Sequence, residues 1–227
     1  MKNHTSAVER IRSDIEQAIV NGEFVAGQRL TEAALTKKLN VSRGPLREAL
    51  QLLQNDGLIT IQQNKGAVVR ELTRQQFAEF FQMRGLFEGF AARRCAKRID
   101  EAGVRDNLLP FLHEATQISR GKQTRPFAEH DAELHTTILR QANNETLESH
   151  WRRLRMPAMR LRFLGNPNTV DIVQSAKEHA TLIGKILDGD EDGAEDAAHA
   201  HVARLNGIVQ RMDQDEFDRL FRFAKKP

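Results

Sequence analysis

GQRLTEAALTKKLNVSRGPLREALQLLQNDGLITIQQNKGAVV, residues 27–69, is the stretch of sequence that decides the fold of the N-terminal part of the chain. RLTEAALTKKL predicts a short helix with Thr31 as its N-cap, and the Asn-Val pair after it predicts a tight turn. SRGPLREALQLLQNDG predicts a second helix, because Ser42 can cap it and Pro45 lies in the first turn, where a missing N–H costs least. Gly57 can end that helix. The stretch therefore predicts two helices separated by a tight turn.

The segments on either side complete the order of elements. Residues 5–20 carry apolar side chains at positions 8, 11, 15 and 19, which predicts a helix that Asn21 and Gly22 end. Downstream, LITIQQNKGAVVREL predicts two short β-branched strands around a polar turn that contains Gly66. Three helices followed by a hairpin describe a winged helix-turn-helix, whose last helix enters the major groove of DNA.

The last of these helices has two faces of opposite chemistry. Its apolar stripe consists of Leu46, Ala49, Leu50 and Leu53, and the other side carries Arg43, Arg47, Gln51 and Gln54. A guanidinium group can bind guanine bidentately or hold a phosphate, and a glycine at the hairpin tip allows close approach to DNA. The candidate DNA contacts are therefore Ser42, Arg43, Arg47, Lys65 and Gly66. The alternative is a solvated helix face beside an ordinary hairpin, but the order of the elements favours DNA.

After Leu72 the pattern changes to long amphipathic stretches separated by Gly, Pro, Asn or Asp. These stretches predict helices at about 74–98, 102–119, 124–142, 145–164, 169–187 and 191–212, with a short tail helix to 224. The chain is therefore expected to be mostly α-helical. We expect a winged helix-turn-helix domain at residues 1–72 and an all-α helical bundle at residues 73–227.

The composition favours a cytoplasmic protein. The chain has 227 residues, of which 40% are hydrophobic and 29% are charged, as in globular proteins. No apolar run approaches the ~20 residues that span a bilayer, and the N-terminus lacks the apolar core of a signal peptide. The single cysteine, Cys95, excludes an internal disulfide framework. We therefore expect a location in the cytoplasm, in association with the nucleoid, and no membrane partner.

Polar residues on the apolar stripes of the bundle helices form a candidate metal site. In FAEHDAELHTTILRQANN, Asp131 and His135 are four positions apart, so they lie one turn apart on one helix face. His179 and His201 occupy the same kind of inward position on two later helices. His199 lies about 200° around the helix from His201 and is predicted to face outward.

One carboxylate and three imidazoles are a typical ligand set for a divalent transition metal. Zinc is the first choice, with nickel, manganese and iron as alternatives. A hydrogen-bonded core histidine explains any one of these residues alone, but four of them on apolar stripes favour a metal. We interpret His4, His113 and His130 as ordinary histidines, and His150 as a packing residue beside Trp151.

A second polar pair lies on the stripe of the first bundle helix. Arg84 and Glu88 are four positions apart and can form a buried ion pair, which would be costly to make and to break. Alternatively, Arg84 can bind the carboxylate of an effector with its guanidinium fork. WRRLRMPAMRLRF places Arg155 and Arg162 near the inner edge of another helix. We take Arg84 and Arg162 as candidate effector contacts.

Several motifs resemble a known family. VSRGPLREAL, DGLI and NKGAVV resemble the N-terminal domain of the GntR superfamily of bacterial transcription regulators. The resemblance implies that Arg43 and Arg47 contact operator DNA and that Gly66 lies on the wing. Some members carry a further DNA-reading arginine in the second helix. This chain has TEAAL there, so its operator half-site is expected to differ.

The bundle resembles the FCD ligand-binding domain of the FadR-like branch of these regulators. FFQMRGLFEGFAARRCA, HDAELHTTILRQANN and KEHATLIGKILDGDEDGAEDAAHAHV carry this resemblance over roughly residues 76–212. It implies that Asp131, His135, His179 and His201 hold a metal ion whose coordination a small carboxylic acid completes.

The sequence thus predicts a ligand-responsive DNA-binding transcription regulator that is not an enzyme. Because operator palindromes mirror protein two-folds, we expect a homodimer on double-stranded operator DNA, and repression is the more usual outcome in the family. The alternatives are a metal-dependent hydrolase and a structural metal-binding helical bundle. The chain has no H-E-x-x-H, no G-x-S-x-G and no glycine-rich phosphate loop, which argues against the hydrolase.

Overall fold

The chain forms two compact units. The computed structural model describes residues 2–20, 23–62, 66–71, 73–123, 125–154 and 170–222. The first unit contains the described residues up to Thr73, residues 153–154 and those from Asp213 onward, and the second contains the other described residues between Arg74 and Met212. Within the described residues, none of the helices is both long and apolar enough to cross a membrane.

The first unit has the elements of a winged helix-turn-helix. In chain order they are α1 (Lys2–Val20), β1 (Arg29–Leu30), α2 (Glu32–Leu39), α3 (Arg43–Asn55), β2 (Ile59–Gln62) and β3 (Gly66–Val69). The sheet is antiparallel, with β3 between β1 and β2. Arg29 and Leu30, which precede the predicted cap at Thr31, form a strand that was not predicted and pair with Val68 and Ala67 of β3. The helix begins only after the cap at Thr31.

Local signals set the helix ends as the sequence indicates. The Thr31 hydroxyl accepts a hydrogen bond from the Ala34 backbone N–H at 3.2 Å, so it caps α2. Asn40 adopts a left-handed conformation with φ 52°, which turns the chain between α2 and α3. Ser42 occupies the N-cap position of α3, but its side chain makes no capping hydrogen bond.

The core of the first unit lies between the helices and the small sheet. The apolar stripe of α3 is buried as predicted, at Leu46, Ala49, Leu50 and Leu53. It packs with buried residues of α1, including Ile11 and Ile15, and of the strands, including Ile59. The Arg12 guanidinium donates to the Asp56 carboxylate at 2.9 Å, which links α1 to the end of α3. This packing leaves the opposite face of α3 exposed.

The second unit is a helical bundle, as predicted. Its helices are α4 (Arg74–Lys97), α5 (Val104–Ser119), α6 (Phe127–Gln141), α7 (Glu145–Leu154), α8 (Ile172–Leu187) and α9 (Glu191–Arg211). Asp171 and Asp190 cap α8 and α9, because each side chain accepts a backbone N–H of the first turn. After α9, the chain returns to the first unit, where a short helix α10 (Gln214–Phe217) continues into a π-helical turn at Asp218–Arg222. The predicted helix 145–164 is described only as far as Leu154.

Helix α9 packs along α4, and two glycines permit the close approach. Gly85 and Gly89 of α4 face the imidazole of His199, and a side chain at Gly89 would collide with that ring. The prediction that His199 faces outward was therefore wrong. His199 is half-buried against α4, because a neighbouring helix covers the side of α9 that the helical wheel alone assigns to solvent. Cys95 is fully buried, and burial raises the pKa of its thiol to about 12.

Candidate metal centre and nucleic-acid interface

Four side chains from three helices converge inside the second unit. Asp131 and His135 come from α6, His179 from α8 and His201 from α9. All four are buried, with at most 2% of the residue surface exposed. Each contributes one possible ligand atom, and these atoms lie within 4.8 Å of one another. The structure thus brings together all four residues that the apolar stripes indicated.

The ligand atoms form a small, close-packed set. Asp131 Oδ1 lies 3.4 Å from His135 Nε2 and 3.4 Å from His179 Nε2. His179 Nε2 lies 3.4 Å from His201 Nε2. Two imidazoles therefore present Nε2 to one carboxylate oxygen, and the third, of His201, presents Nε2 to that of His179. The Phe127 ring stacks on His179 with centroids 5.5 Å apart and forms one apolar wall of the site.

In His201 and His135, a carboxylate lies near Nδ1, on the side of the ring away from the cluster, and favours one tautomer. His201 Nδ1 is hydrogen-bonded to the Glu178 carboxylate at 2.8 Å, and Glu178 is also paired with Arg204. His135 Nδ1 lies 3.0 Å from Glu88 Oε2. A carboxylate at Nδ1 favours the proton on that nitrogen, which leaves the Nε2 lone pair available. Both rings therefore offer Nε2 lone pairs to the centre of the cluster.

Burial disfavours the charged form of two of the clustered imidazoles, His179 and His201. Desolvation lowers the pKa of His179 well below its ordinary value and also lowers the pKa of His201. Burial raises the pKa of Glu178, but hydrogen bonds from His201 and Arg204 outweigh it and bring that pKa down to about 2. These shifts favour the neutral form of His179 and His201, which is the form in which a histidine binds a metal.

The donor set fits a divalent cation. Within the described residues, the buried Nε2 atom of His135 makes no hydrogen bond. Imidazole lone pairs and a carboxylate oxygen crowded into a buried space repel one another unless a positive charge lies between them. A divalent ion removes that repulsion and satisfies each donor. Asp131, His135, His179 and His201 are the residues that would hold it.

A buried arginine lies beside the cluster. Arg84 donates through Nε to Glu88 Oε1 at 2.6 Å, and both side chains are 3% exposed. Burial lowers the pKa of Arg84, but the carboxylates of Glu88 and Asp131 outweigh it and raise that pKa. Among the described residues, Arg84 Nη2 is buried without a hydrogen-bond partner. The predicted ion pair therefore exists, and it leaves part of the guanidinium fork for another anion.

The predicted DNA-reading face lies on the exposed side of α3. Arg43, Arg47, Gln51 and Gln54 are all exposed, and so is Ser42 at the start of the helix. Arg47 donates through Nε to Glu32 at the start of α2, at 2.8 Å. The Arg47 side chain is 63% exposed, so this ion pair is weak and open to exchange for a phosphate or a base. Gly66 begins β3 with φ +79°, a conformation that suits glycine.

Comparison with known proteins decides the family. Residues 79–204 match the FCD domain family, and residues 7–69 match the gntR family of bacterial regulatory proteins. The chain belongs to the GntR family and carries an FCD domain. The predicted resemblance and the predicted fold class are thereby confirmed.

Relatives of this GntR-family chain are transcription regulators. The Nta operon transcriptional regulator of Aminobacter aminovorans is 30% identical over 188 residues, which cover 82% of this chain and 86% of that protein. The HTH-type transcriptional repressor RspR of Escherichia coli is 25% identical over 210 residues, 92% of each protein. A GntR transcriptional regulator of Rhodococcus sp. RHA1 shares the fold, with a TM-score of 0.67, 20% identity and coverage of 92% of this chain and 100% of that chain. The chain is therefore a DNA-binding transcription regulator rather than an enzyme.

Some predicted site residues of this GntR-family chain lie outside the described residues. They are Lys65 of the wing, together with Arg155 and the candidate effector contact Arg162. His150 was interpreted as a packing residue, and that interpretation was wrong. Its side chain is exposed, and its Nδ1 atom contacts the Thr146 carbonyl at 2.8 Å, while the neighbouring Trp151 is buried.

Sequence reasoning missed the polar residues around the cluster. Glu178 and Glu114 were not singled out, and His130 was set aside as an ordinary histidine. His130 is fully buried and makes a hydrogen bond through Nδ1 to Glu114 at 2.9 Å. A hydrogen bond from Arg125 and a further one from His130 outweigh desolvation and lower the pKa of Glu114 to about 2. No local spacing signals these contacts, because each joins two different helices.

Proposed function

We propose that this GntR-family chain is a repressor whose C-terminal bundle binds one divalent metal ion and a small organic acid. We place it in the cytoplasm, associated with the nucleoid, as a homodimer on double-stranded operator DNA. The observation that carries the metal proposal is the buried convergence of three imidazole Nε2 atoms and one carboxylate within 4.8 Å. The name of the Escherichia coli relative, a repressor, supports the sign of regulation.

The ligands in this proposal are Asp131, His135, His179 and His201. Imidazole nitrogen and carboxylate oxygen together suit zinc first, and nickel, manganese or iron as alternatives. When bound, the metal supplies a Lewis-acidic cation that attracts the carboxylate of an organic acid. The surrounding glutamates keep the imidazole rings oriented toward that cation.

Besides the metal, the guanidinium of Arg84 can bind the carboxylate of an organic acid. Its Nε atom is held by Glu88, and its buried Nη2 atom has no hydrogen-bond partner among the described residues. A buried guanidinium donor without a partner is costly, so a bound carboxylate that accepts from it gains affinity. We therefore propose that Arg84 binds the carboxylate of the effector. We also propose that Arg162 contacts the effector.

Replacing Arg84 with lysine tests the acid site. The Arg84→Lys variant keeps a positive charge beside Glu88 but loses the planar fork. We expect metal binding to persist, while the affinity for any acid that stabilises the wild-type protein falls at least about tenfold. The measurement is the melting temperature of the zinc-loaded protein against lactate, pyruvate, gluconate, malate and benzoate.

The matched control is Arg93→Lys on the same helix. Arg93 lies on the surface, where it pairs with Asp192 and Glu195 of α9. The control variant should respond to acids as the wild-type protein does. If Arg84→Lys keeps the full response to an effective acid, Arg84 is only the partner of Glu88 and the effector contact is elsewhere.

Regulation then follows from a difference in binding free energy between two states. An effector shifts the DNA-binding equilibrium only by the difference between its affinities for the DNA-bound and free forms. We propose that the acid binds more tightly to the form of the dimer in which the spacing of the two DNA-binding domains does not match the operator. Acid binding would then release the repressor, and its DNA contacts through Ser42, Arg43, Arg47, Lys65 and Gly66 would be lost together.

A further inference from the structure

We propose that the His130–Glu114 pair is the outer partner of the metal ligand His179. This inference rests on the proposed metal centre and assigns a positioning role to a histidine that does not itself belong to the ligand set. The pair would hold the His179 ring in the orientation that presents Nε2 to the metal. His135 and His201 each contact a glutamate directly, and His179 would reach a glutamate through His130.

Two of the three imidazole ligands have such a glutamate in direct contact. His135 Nδ1 lies 3.0 Å from Glu88, and His201 Nδ1 is hydrogen-bonded to Glu178 at 2.8 Å. Metal-bound histidines commonly use the second ring nitrogen in this way, which fixes the tautomer and the ring orientation. His179 differs from these two. Within the described residues, its buried Nδ1 atom makes no hydrogen bond.

A third histidine–glutamate pair lies beside His179. His130 Nδ1 is hydrogen-bonded to Glu114 at 2.9 Å, as His201 Nδ1 is to Glu178 at 2.8 Å. The buried Nε2 atom of His130 makes no hydrogen bond within the described residues. The centroids of the His130 and His179 rings are 5.3 Å apart, and both residues are fully buried. Two buried rings, each with a nitrogen that has no hydrogen-bond partner within the described residues, are therefore neighbours.

The two nitrogens are chemically complementary. When His179 Nε2 binds a metal, its proton resides on Nδ1, which becomes a donor. When His130 donates its Nδ1 proton to Glu114, its Nε2 atom becomes an acceptor. A donor and an acceptor on buried rings at this centroid separation can be joined directly, after rotation of a ring, or through one buried water. Either link transmits the orientation of His130 to His179.

The far end of this chain of contacts is firmly held. Arg125 donates to both oxygens of Glu114, at 2.6 and 2.7 Å, and it also pairs with Glu133. Such a bidentate pair fixes the plane of the carboxylate. Phe127 packs against both histidine rings, with centroids 5.8 Å from His130 and 5.5 Å from His179. A carboxylate that is fixed in this way can orient His130, and His130 can in turn orient His179.

The first test compares metal affinity between His130 variants. His130→Phe keeps an aromatic ring in the core but removes both ring nitrogens, whereas His130→Gln keeps an acceptor near the position of Nε2. We expect His130→Phe to weaken zinc binding 10- to 100-fold, the range typical of lost outer partners. We expect His130→Gln to recover part of that loss. Zinc affinity is measured by competition with a chelator, on the full-length protein.

Two further variants make the comparison specific. Glu178→Gln removes the negative charge of the direct partner of His201 and should weaken zinc binding within the same range. His113→Phe alters an exposed histidine on α5 and should leave the affinity unchanged. If His130→Phe does not fold, Glu114→Gln provides the second test. It retains the His130 ring but removes the charged acceptor, and we expect it to weaken zinc binding as well.

A spectroscopic signature separates positioning from packing. In the cobalt(II)-loaded wild-type protein, we expect three strongly shifted, exchangeable imidazole N–H resonances, one from each ligand. In His130→Phe, the resonance from His179 should move or exchange rapidly with solvent, while the other two persist. A purely structural role for His130 would lower the melting temperature of the metal-free protein without this selective change.

The outcomes distinguish this inference from the proposed function. If the wild-type protein binds no zinc or cobalt, the metal centre itself is refuted. If the wild-type protein binds metal and His130→Phe binds it equally tightly, with three unchanged N–H resonances, the outer-partner role of His130 is refuted and the metal centre stands.

Discussion

Replacing both His135 and His179 with alanine is expected to abolish tight metal binding. The double variant loses two of the four buried donors and leaves Asp131 with His201 alone. Loss of an outer partner typically costs 10- to 100-fold in affinity, so we expect loss of two direct ligands to cost more than about 100-fold. The wild-type protein should gain roughly 2.7 kcal/mol of stability at a free metal concentration 100 times its Kd. The double variant should gain almost nothing at that concentration.

The control for this experiment uses histidines outside the cluster. His113 and His150 are both exposed, so His113→Ala with His150→Ala removes the same number of imidazoles without touching the buried site. Metal content after purification and the metal-dependent rise in melting temperature are measured for all three proteins. Equal metal content in the wild-type protein and the His135/His179 double variant would refute the assignment of these ligands.

Replacing Arg47 with alanine should relax the DNA sequence specificity of the protein. Arg47 lies on the exposed face of α3, where it forms a surface ion pair with Glu32. A bidentate contact to guanine contributes enough discrimination to change operator affinity roughly 10- to 100-fold. Non-specific binding should fall much less, because phosphate contacts elsewhere on the protein remain. The operator fragment is obtained by selection from random DNA, and both affinities are measured at several salt concentrations.

A surface arginine in the bundle provides the matched control. Arg140 is exposed on α6, and Arg140→Ala makes the same change in charge away from the reading face. It should leave both specific and non-specific affinity nearly unchanged. If Arg47→Ala lowers specific and non-specific binding by the same factor, Arg47 contacts a phosphate rather than a base.

The fold was predictable where local signals act alone. The Thr31 cap, the position of Pro45 and the apolar stripe of α3 each depend on residues within one or two turns, and the structure follows them. The strand at Arg29–Leu30 was not predictable from its own sequence. Two residues carry no periodicity, and they become a strand only by pairing with β3, which lies almost 40 residues further along the chain.

The four clustered residues were predictable because helix geometry places each of them on an apolar stripe. A helical wheel locates a residue relative to its own helix, and this suffices when the whole stripe is buried. It does not suffice for His199, which is on another face of α9 yet is covered by the glycines of α4. A neighbouring helix determines whether a face other than the apolar stripe is also covered. The sequence of the helix itself does not contain that information.

The outer glutamates were not predictable for a related reason. Glu178 and Glu114 are each 19% exposed, and in sequence they resemble ordinary solvent-facing carboxylates. Each contacts a histidine of another helix, at sequence separations of 23 and 16 residues. Tertiary packing alone creates these pairs, and the orientation of the proposed ligands depends on them.

One measurement tests the central claim, that metal and organic acid share one sensing site, most directly. The melting temperature of the full-length protein is measured with lactate, pyruvate, gluconate, malate and benzoate, each with zinc and then with excess chelator. A ligand that binds only the folded state raises the melting temperature by mass action. We expect at least one acid to stabilise the zinc-loaded protein and the chelator to abolish this effect. A melting temperature that responds neither to zinc, nor to chelator, nor to any acid would contradict the central claim and would identify the buried cluster as a structural polar network.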